Sequence, residues 1–164
     1  ALQLTPASDD EAERRRLFVQ TLEVYATRDG PPSDDMVMAW AEQEADPWLR
    51  PLILLAQARF AGDETEACYR ALMDAYPDWP LPSRDWVSLR LASGRVDEHV
   101  LQRAREVRER MPDNHRANRN HALALAMSGQ MKPAAFYLKQ YLASAPDDRE
   151  AATWLEKVEV ALAP

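Results

Sequence analysis

Side chains able to do chemistry are few in this chain, and they are scattered. Its three histidines, His99, His115 and His121, form neither a His-Glu-x-x-His motif nor an i, i+4 pair that would set two imidazoles on one helix face, so no metal site is expected. Cys68 is the single cysteine; it falls within a predicted helix beside Tyr69, where a buried, inert thiol is the expectation, and one thiol cannot form an internal disulfide. No Gly-x-Ser-x-Gly elbow and no phosphate-cradling glycine loop occurs. The acidic clusters Asp9-Asp10-Glu11 and Asp34-Asp35 fall in predicted first turns, where negative charge complements the helix dipole, and no loop of alternating oxygen ligands surrounds them. The expectation is therefore a protein without catalysis and without a cofactor.

What remains is the chemistry of recognition. Arg116, Arg119, Asn120, Leu123 and Met127 stand at positions i, i+3, i+4, i+7 and i+11, so on a helix they share one stripe. Arginine presents a planar fork of donors to a carboxylate, and asparagine offers both a donor and an acceptor to a peptide backbone. The corresponding stripes upstream read Arg50, Leu54 and Gln57, then Asp85, Trp86 and Leu89, a more apolar surface suited to a segment with hydrophobic anchors. Among the five tryptophans, Trp79 and Trp86 are the ones considered for ligand contact; the others are expected in the core.

Helices must carry these stripes. Ser8 and Glu11 have capping-box spacing and predict a helix to about residue 28, stopped by Asp29-Gly30-Pro31-Pro32; a shorter helix from Ser33 to about Ala45 follows. A second pair opens at Pro47 or Pro51, turns at Gly62, restarts at Asp63 and ends before Pro77. The segment Pro77-Asp78-Trp79-Pro80-Leu81-Pro82 reads as a stiff extended break, after which Ser83 caps a helix to Gly94 and its partner runs to Pro112. Another pair spans His115 to Pro146, and a closing helix from Asp147, in capping-box spacing with Glu150, reaches about Leu162. The expectation is nine helices with no strand.

The last pair carries a resemblance. Asn118, His121-Ala122, Leu125, Ala134, Leu138 and Pro146 have the spacing of the tetratricopeptide repeat (TPR) pattern, and Pro112 and Pro146 lie one 34-residue period apart. Leu52, Ile53, Ala56 and Tyr69 match it in part, with Thr65 in place of the small alanine, and Val100 stands where alanine is expected in the middle pair. The chain thus resembles a TPR protein, clearest over residues 113–146. The resemblance implies an all-α, right-handed superhelix of antiparallel hairpins: a divergent hairpin at 1–46, repeats at 47–77, 81–112 and 113–146, and a capping helix at 147–164, in one domain. It also implies a protein or peptide ligand held in a concave groove lined by the first helix of each pair.

Composition fits a single helix-rich domain: 164 residues, 46% hydrophobic, 29% charged and only four glycines. The longest apolar run, Leu52 to Ala56, falls far short of the about 20 residues a membrane span takes. The net charge of −7 resides in residues 1–48, which hold eleven acidic and four basic side chains, and it opposes nucleic-acid binding. The one basic run, Arg95 to Arg119, alternates Arg103, Arg105, Arg108 and Arg110 with Glu106 and Glu109, and intrahelical ion pairs are expected there. Seventeen arginines against three lysines suggest a GC-rich bacterial source, and the chain begins on Ala1, as though a signal peptide, an anchor or an upstream domain preceded it. Periplasm and cytoplasm both stay open. The functional expectation is a non-catalytic adaptor in bacterial assembly, secretion or envelope biogenesis; a small secretion-type chaperone and a self-associating module are the alternatives.

Overall fold

The computed structural model describes residues 49–59 and 61–163. Over these residues the chain is all-helical: α1 (Leu49–Arg59), α2 (Thr65–Ala75), α3 (Pro80–Ala92), α4 (Glu98–Arg110), α5 (His115–Met127), α6 (Met131–Ser144) and α7 (Arg149–Leu162), with one 3-10 turn at Gly62–Glu64 and no strand among the described residues. The helices expected over 8–28 and 33–45 lie outside them. None of the described helices is long and apolar enough to cross a membrane.

The chain divides into two compact units, Ala1–Cys68 and Tyr69–Pro164. In the first, α1 takes Pro51 in its opening turn, where a missing N–H leaves no bond unmade, and buries Leu55 and Ala58. Helix α2 begins after the 3-10 turn, two residues later than Asp63. Its buried positions are Thr65, Tyr69 and Leu72, which follow helical spacing, and Cys68 falls beside that stripe and is half-buried rather than sealed.

The second unit is punctuated by two kinds of turn, each used repeatedly. After α2, α4 and α6 comes the same sequence of a proline, an aspartate and a cap residue: Pro77-Asp78-Trp79, Pro112-Asp113-Asn114 and Pro146-Asp147-Asp148. In each, the residue before the proline donates its N–H to the carbonyl four residues back (Tyr76 to Leu72, Met111 to Val107, Ala145 to Tyr141), and the cap residue donates back to the carbonyl three before it, at 3.0 to 3.2 Å. Asn114 and Asp148 then accept from the amides of Ala117 and Ala151, both at 3.0 Å, satisfying one free donor of the next helix. The other turn closes α3 and α5. Arg95 N–H reaches Arg90 O and Gly94 N–H reaches Leu91 O; Gln130 to Leu125 and Gly129 to Ala126 repeat the arrangement, with φ of +69° at Gly94 and +79° at Gly129. This is a Schellman closure, which requires a left-handed residue and so favours glycine.

Two expected boundaries move. Helix α3 starts at Pro80, with Trp79 as its cap residue, rather than at Ser83, because Pro80 and Pro82 both lie in the first turn, where amides have no intrahelical partner. The expected extended break is thus half helix. Helix α7 is capped by Asp148 rather than Asp147, since only the third turn residue faces the open amides, as at Asn114. Of the ion pairs expected on α4, Arg103–Glu106 forms at 3.2 Å, while Arg110 turns away to donate to the carbonyls of Pro77 and Asp78, fastening the turn before α3.

Within this unit each helix packs on the next, and α3 also meets α5, as α5 meets α7. Helix α5 therefore has neighbours on several sides, and Asn120 through Ala126 are all buried. Alanines at 122, 124, 126, 134 and 151 are almost fully covered, which lets backbones approach closely, while Trp86, Leu123, Leu125 and Leu138 fill the spaces between. Val100 is as completely buried as Ala134. His121 is sealed in this core, its ring edge-to-face with Tyr137 at 4.6 Å. Burial first, then the positive charge of Arg108 and Arg105, pushes its imidazole down from 6.5 to about 4.

Two outcomes follow for stability. Replacing Gly129 with alanine adds a side chain that meets no atom but must hold φ +79°, and should cost about 1 kcal/mol in urea unfolding. Because His121 has its folded value depressed, the unfolded chain takes up the proton first: stability is complete above pH 6.5 and falls by on the order of 3 kcal/mol as pH drops to about 4. Unfolding curves across that window should show this slope, and His121→Phe should flatten it.

Candidate partner-binding face

The repeated turns set the register of the first helices. The caps Trp79 and Asn114 are 35 positions apart, and so are Gly94 and Gly129, whereas Asn114 and Asp148 are 34 apart. Arg84, Asp85 and Ser88 of α3 therefore correspond to Arg119, Asn120 and Leu123 of α5, and Glu150, Thr153, Trp154 and Lys157 of α7 correspond to Arg116, Arg119, Asn120 and Leu123. The stripe on α3 lies one residue away from the expected Asp85, Trp86 and Leu89. Trp86 instead corresponds to His121, and it is buried in the same way, edge-to-face with His99 at 5.4 Å and under the Arg90 guanidinium at 5.7 Å. Its Nε1, like His121 Nδ1, has no hydrogen-bond partner among the described residues. Leu89 is half-buried.

The face is laced by polar contacts across α3, α5 and α7. Arg84 Nε and Nη2 both reach Asp85 Oδ1 at 2.8 Å, and Arg116 Nη1 lies 3.7 Å from the same oxygen. Asn120 Nδ2 donates to Arg84 O at 3.1 Å and to Ser88 Oγ at 2.8 Å, and Ser88 Oγ itself donates to Arg84 O. Asn120 Oδ1 is buried and meets no donor among the described residues. On the other side Arg119 Nε donates to Asp148 Oδ2 at 2.6 Å and its Nη2 to Glu150, and Tyr141 OH donates to the same Asp148 oxygen at 3.0 Å. Asp148 thus caps α7 through one oxygen and ties it to α5 and α6 through the other.

Charge follows this geometry. Burial raises the Asp148 carboxyl, but the Ala151 amide, Arg119 and Tyr141 outweigh it and hold the group below its usual range. Burial lowers Arg119 and its two carboxylates more than restore it, so the net shift is upward. Burial and the Asp148 bond both push Tyr141 up. The predicted stripe on α5 therefore separates into layers: Arg116 stands out with its side chain 58% exposed, Met127 is half-buried, Arg119 is committed to its neighbours, and Asn120 and Leu123 lie beneath. On α7, Lys157 lies over the Trp154 ring at 4.8 Å. Leu54 and Gln57 are half-buried on α1, in the other compact unit, and the side chain of Arg50 lies outside the described residues. No group of three or more His, Cys, Asp or Glu that could hold a metal occurs among the described residues.

Ser88, Tyr141 and Asp148 went unnoticed in the sequence reading. Superposing the three Pro-Asp-cap segments is the signal that finds them. No protein-family model, no curated protein and no solved structure matches this chain.

The two arginines should separate in unfolding experiments. Arg119→Ala removes two charge-assisted bonds from a half-buried site and should cost about 2 kcal/mol, whereas Arg116→Ala should stay within about 0.5 kcal/mol. The Arg119 loss should shrink in acid: a lowered carboxyl stabilises fully above about pH 4 and ceases to do so as pH falls through its folded value.

Proposed function

We propose that the chain is a non-catalytic, TPR-type module that binds a protein or peptide along the first helices of its pairs. The observation that carries this reading is the pairing of repeated turns with contact between alternate helices: closures recurring every 34 or 35 residues, with α3 against α5 and α5 against α7, line the first helices up side by side. A surface built in this way grows by repetition and offers an extended partner many equivalent footholds. Here it presents Arg116 and Lys157 as cations and Met127 and Trp154 as half-buried apolar contacts, a combination suited to a segment that carries carboxylates beside hydrophobic side chains. The polar partners beneath, buried Arg84, Asp85 and Asn120 with half-buried Ser88, fix the spacing of the helices rather than meet the ligand.

Photo-crosslinking in cells tests the reading. A benzophenone amino acid at Met127 or Thr153 should give a discrete adduct that Arg116→Glu with Trp154→Ala abolishes, while the same probe at Asp113 in the turn should give none. Equal adducts from Asp113, or none from the first-helix positions, would count against it.

A further inference from the structure

The basic run on α4 is not neutralised as its sequence suggests. Arg105 is exposed and forms no ion pair among the described residues, although Glu109 lies one helical turn away, and among the same residues Arg108 meets no carboxylate; its guanidinium instead lies 4.6 Å from the centre of the Tyr137 ring on α6. That ring also meets His121 at 4.6 Å and Phe136 at 5.1 Å, both edge-to-face. Phe136 is 63% exposed, one of three large hydrophobic side chains left open among the described residues. Lys132, one turn before it on α6, is exposed as well. Two guanidiniums on α4, and an ammonium and an open aromatic ring on α6, thus stand on the second helices of two successive pairs, which meet where Arg108 lies over Tyr137.

We infer that Arg105, Arg108, Lys132, Phe136 and Tyr137 form a second docking surface, separate from the first-helix face, for an acidic polypeptide segment with an aliphatic or aromatic anchor. Charge complementarity selects the class of partner. Three cations fall short of the 6–10 phosphate contacts of a typical duplex binder and of the 4–8 basic residues that mark recognition of an anionic membrane. They suffice for two or three carboxylates flanking an apolar side chain, and Phe136 supplies the surface that such an anchor would cover. Tyr137, half-buried and in contact with Arg108, His121 and Phe136, adds aromatic surface beside it.

The test uses the full chain and a fluorescein-labelled peptide of aspartates and glutamates spaced by leucines, read by anisotropy. Saturable binding is expected that weakens with salt, falls about tenfold in Arg105→Glu with Arg108→Glu, and falls in Phe136→Ser, while the charge-matched control Arg149→Glu, at an exposed position on α7, binds as the parent does. Arg105→Glu alone makes the same comparison without disturbing Tyr137, and circular dichroism checks that helicity is kept. Absence of saturation, equal binding by the Arg105 and Phe136 variants, or uptake of phosphatidylserine vesicles in place of the peptide would overturn the assignment. Loss in Arg116→Glu alone would move the binding to the first-helix face.

Discussion

Hydrogen-bond closure at the helix ends is the constraint on which the rest of the second unit depends. A helix leaves four amides open at its start and four carbonyls open at its end, and each one that a local bond closes fixes the path of the chain through the turn. This chain meets the requirement with two local solutions: a proline-aspartate-cap turn before the first helices and a left-handed glycine after them. Each solution fixes the direction in which the next helix departs. Because the same bonds recur after nearly the same number of residues, successive pairs leave their turns alike and alternate helices come side by side.

Asp148 shows how one side chain serves both levels. Its Oδ1 closes the start of α7, and its Oδ2 gathers Arg119 from α5 and the Tyr141 hydroxyl from α6. At the earlier turn the corresponding residue, Asn114, caps in the same way, while Asn118 donates to Pro112 O and fastens that turn from inside. At the first turn Trp79 makes no side-chain cap, and Arg110 of α4 takes over by bonding two carbonyls of the loop. The architecture is the same three times, with a different side chain doing the fastening each time.

Local chemistry made much of this legible. Prolines, glycines and apolar spacing located all seven described helices, and small residues at 122 and 134 announced close packing. What escaped was register. Pro112 and Pro146 lie 34 residues apart, but Pro77 and Pro112 lie 35 apart, and carrying the shorter interval backwards rotated the α3 stripe by one residue, or about a quarter of a turn. That rotation put Trp86, a core residue, in the place of Asp85, and Leu89 in the place of Ser88, a partner of Asn120. The capping aspartate was missed for a similar reason: Asp147 and Glu150 have capping-box spacing, yet tertiary bonds to Arg119 and Tyr141 reward Asp148. Side-chain networks between distant segments leave no trace in local periodicity, and the sealed state of Leu123 follows only from α5 having helices on both flanks.

The claim that matters most is the alignment of α3 with α5, since it decides which residues the first-helix face presents. A double-mutant cycle on Ser88→Ala and Asn120→Ala, followed by urea unfolding, addresses it directly. Their hydrogen bond of 2.8 Å predicts a coupling of about 1 kcal/mol. Additive losses at this pair, together with coupling between Trp86 and Asn120, would show that the helices meet in the other register and would contradict the account.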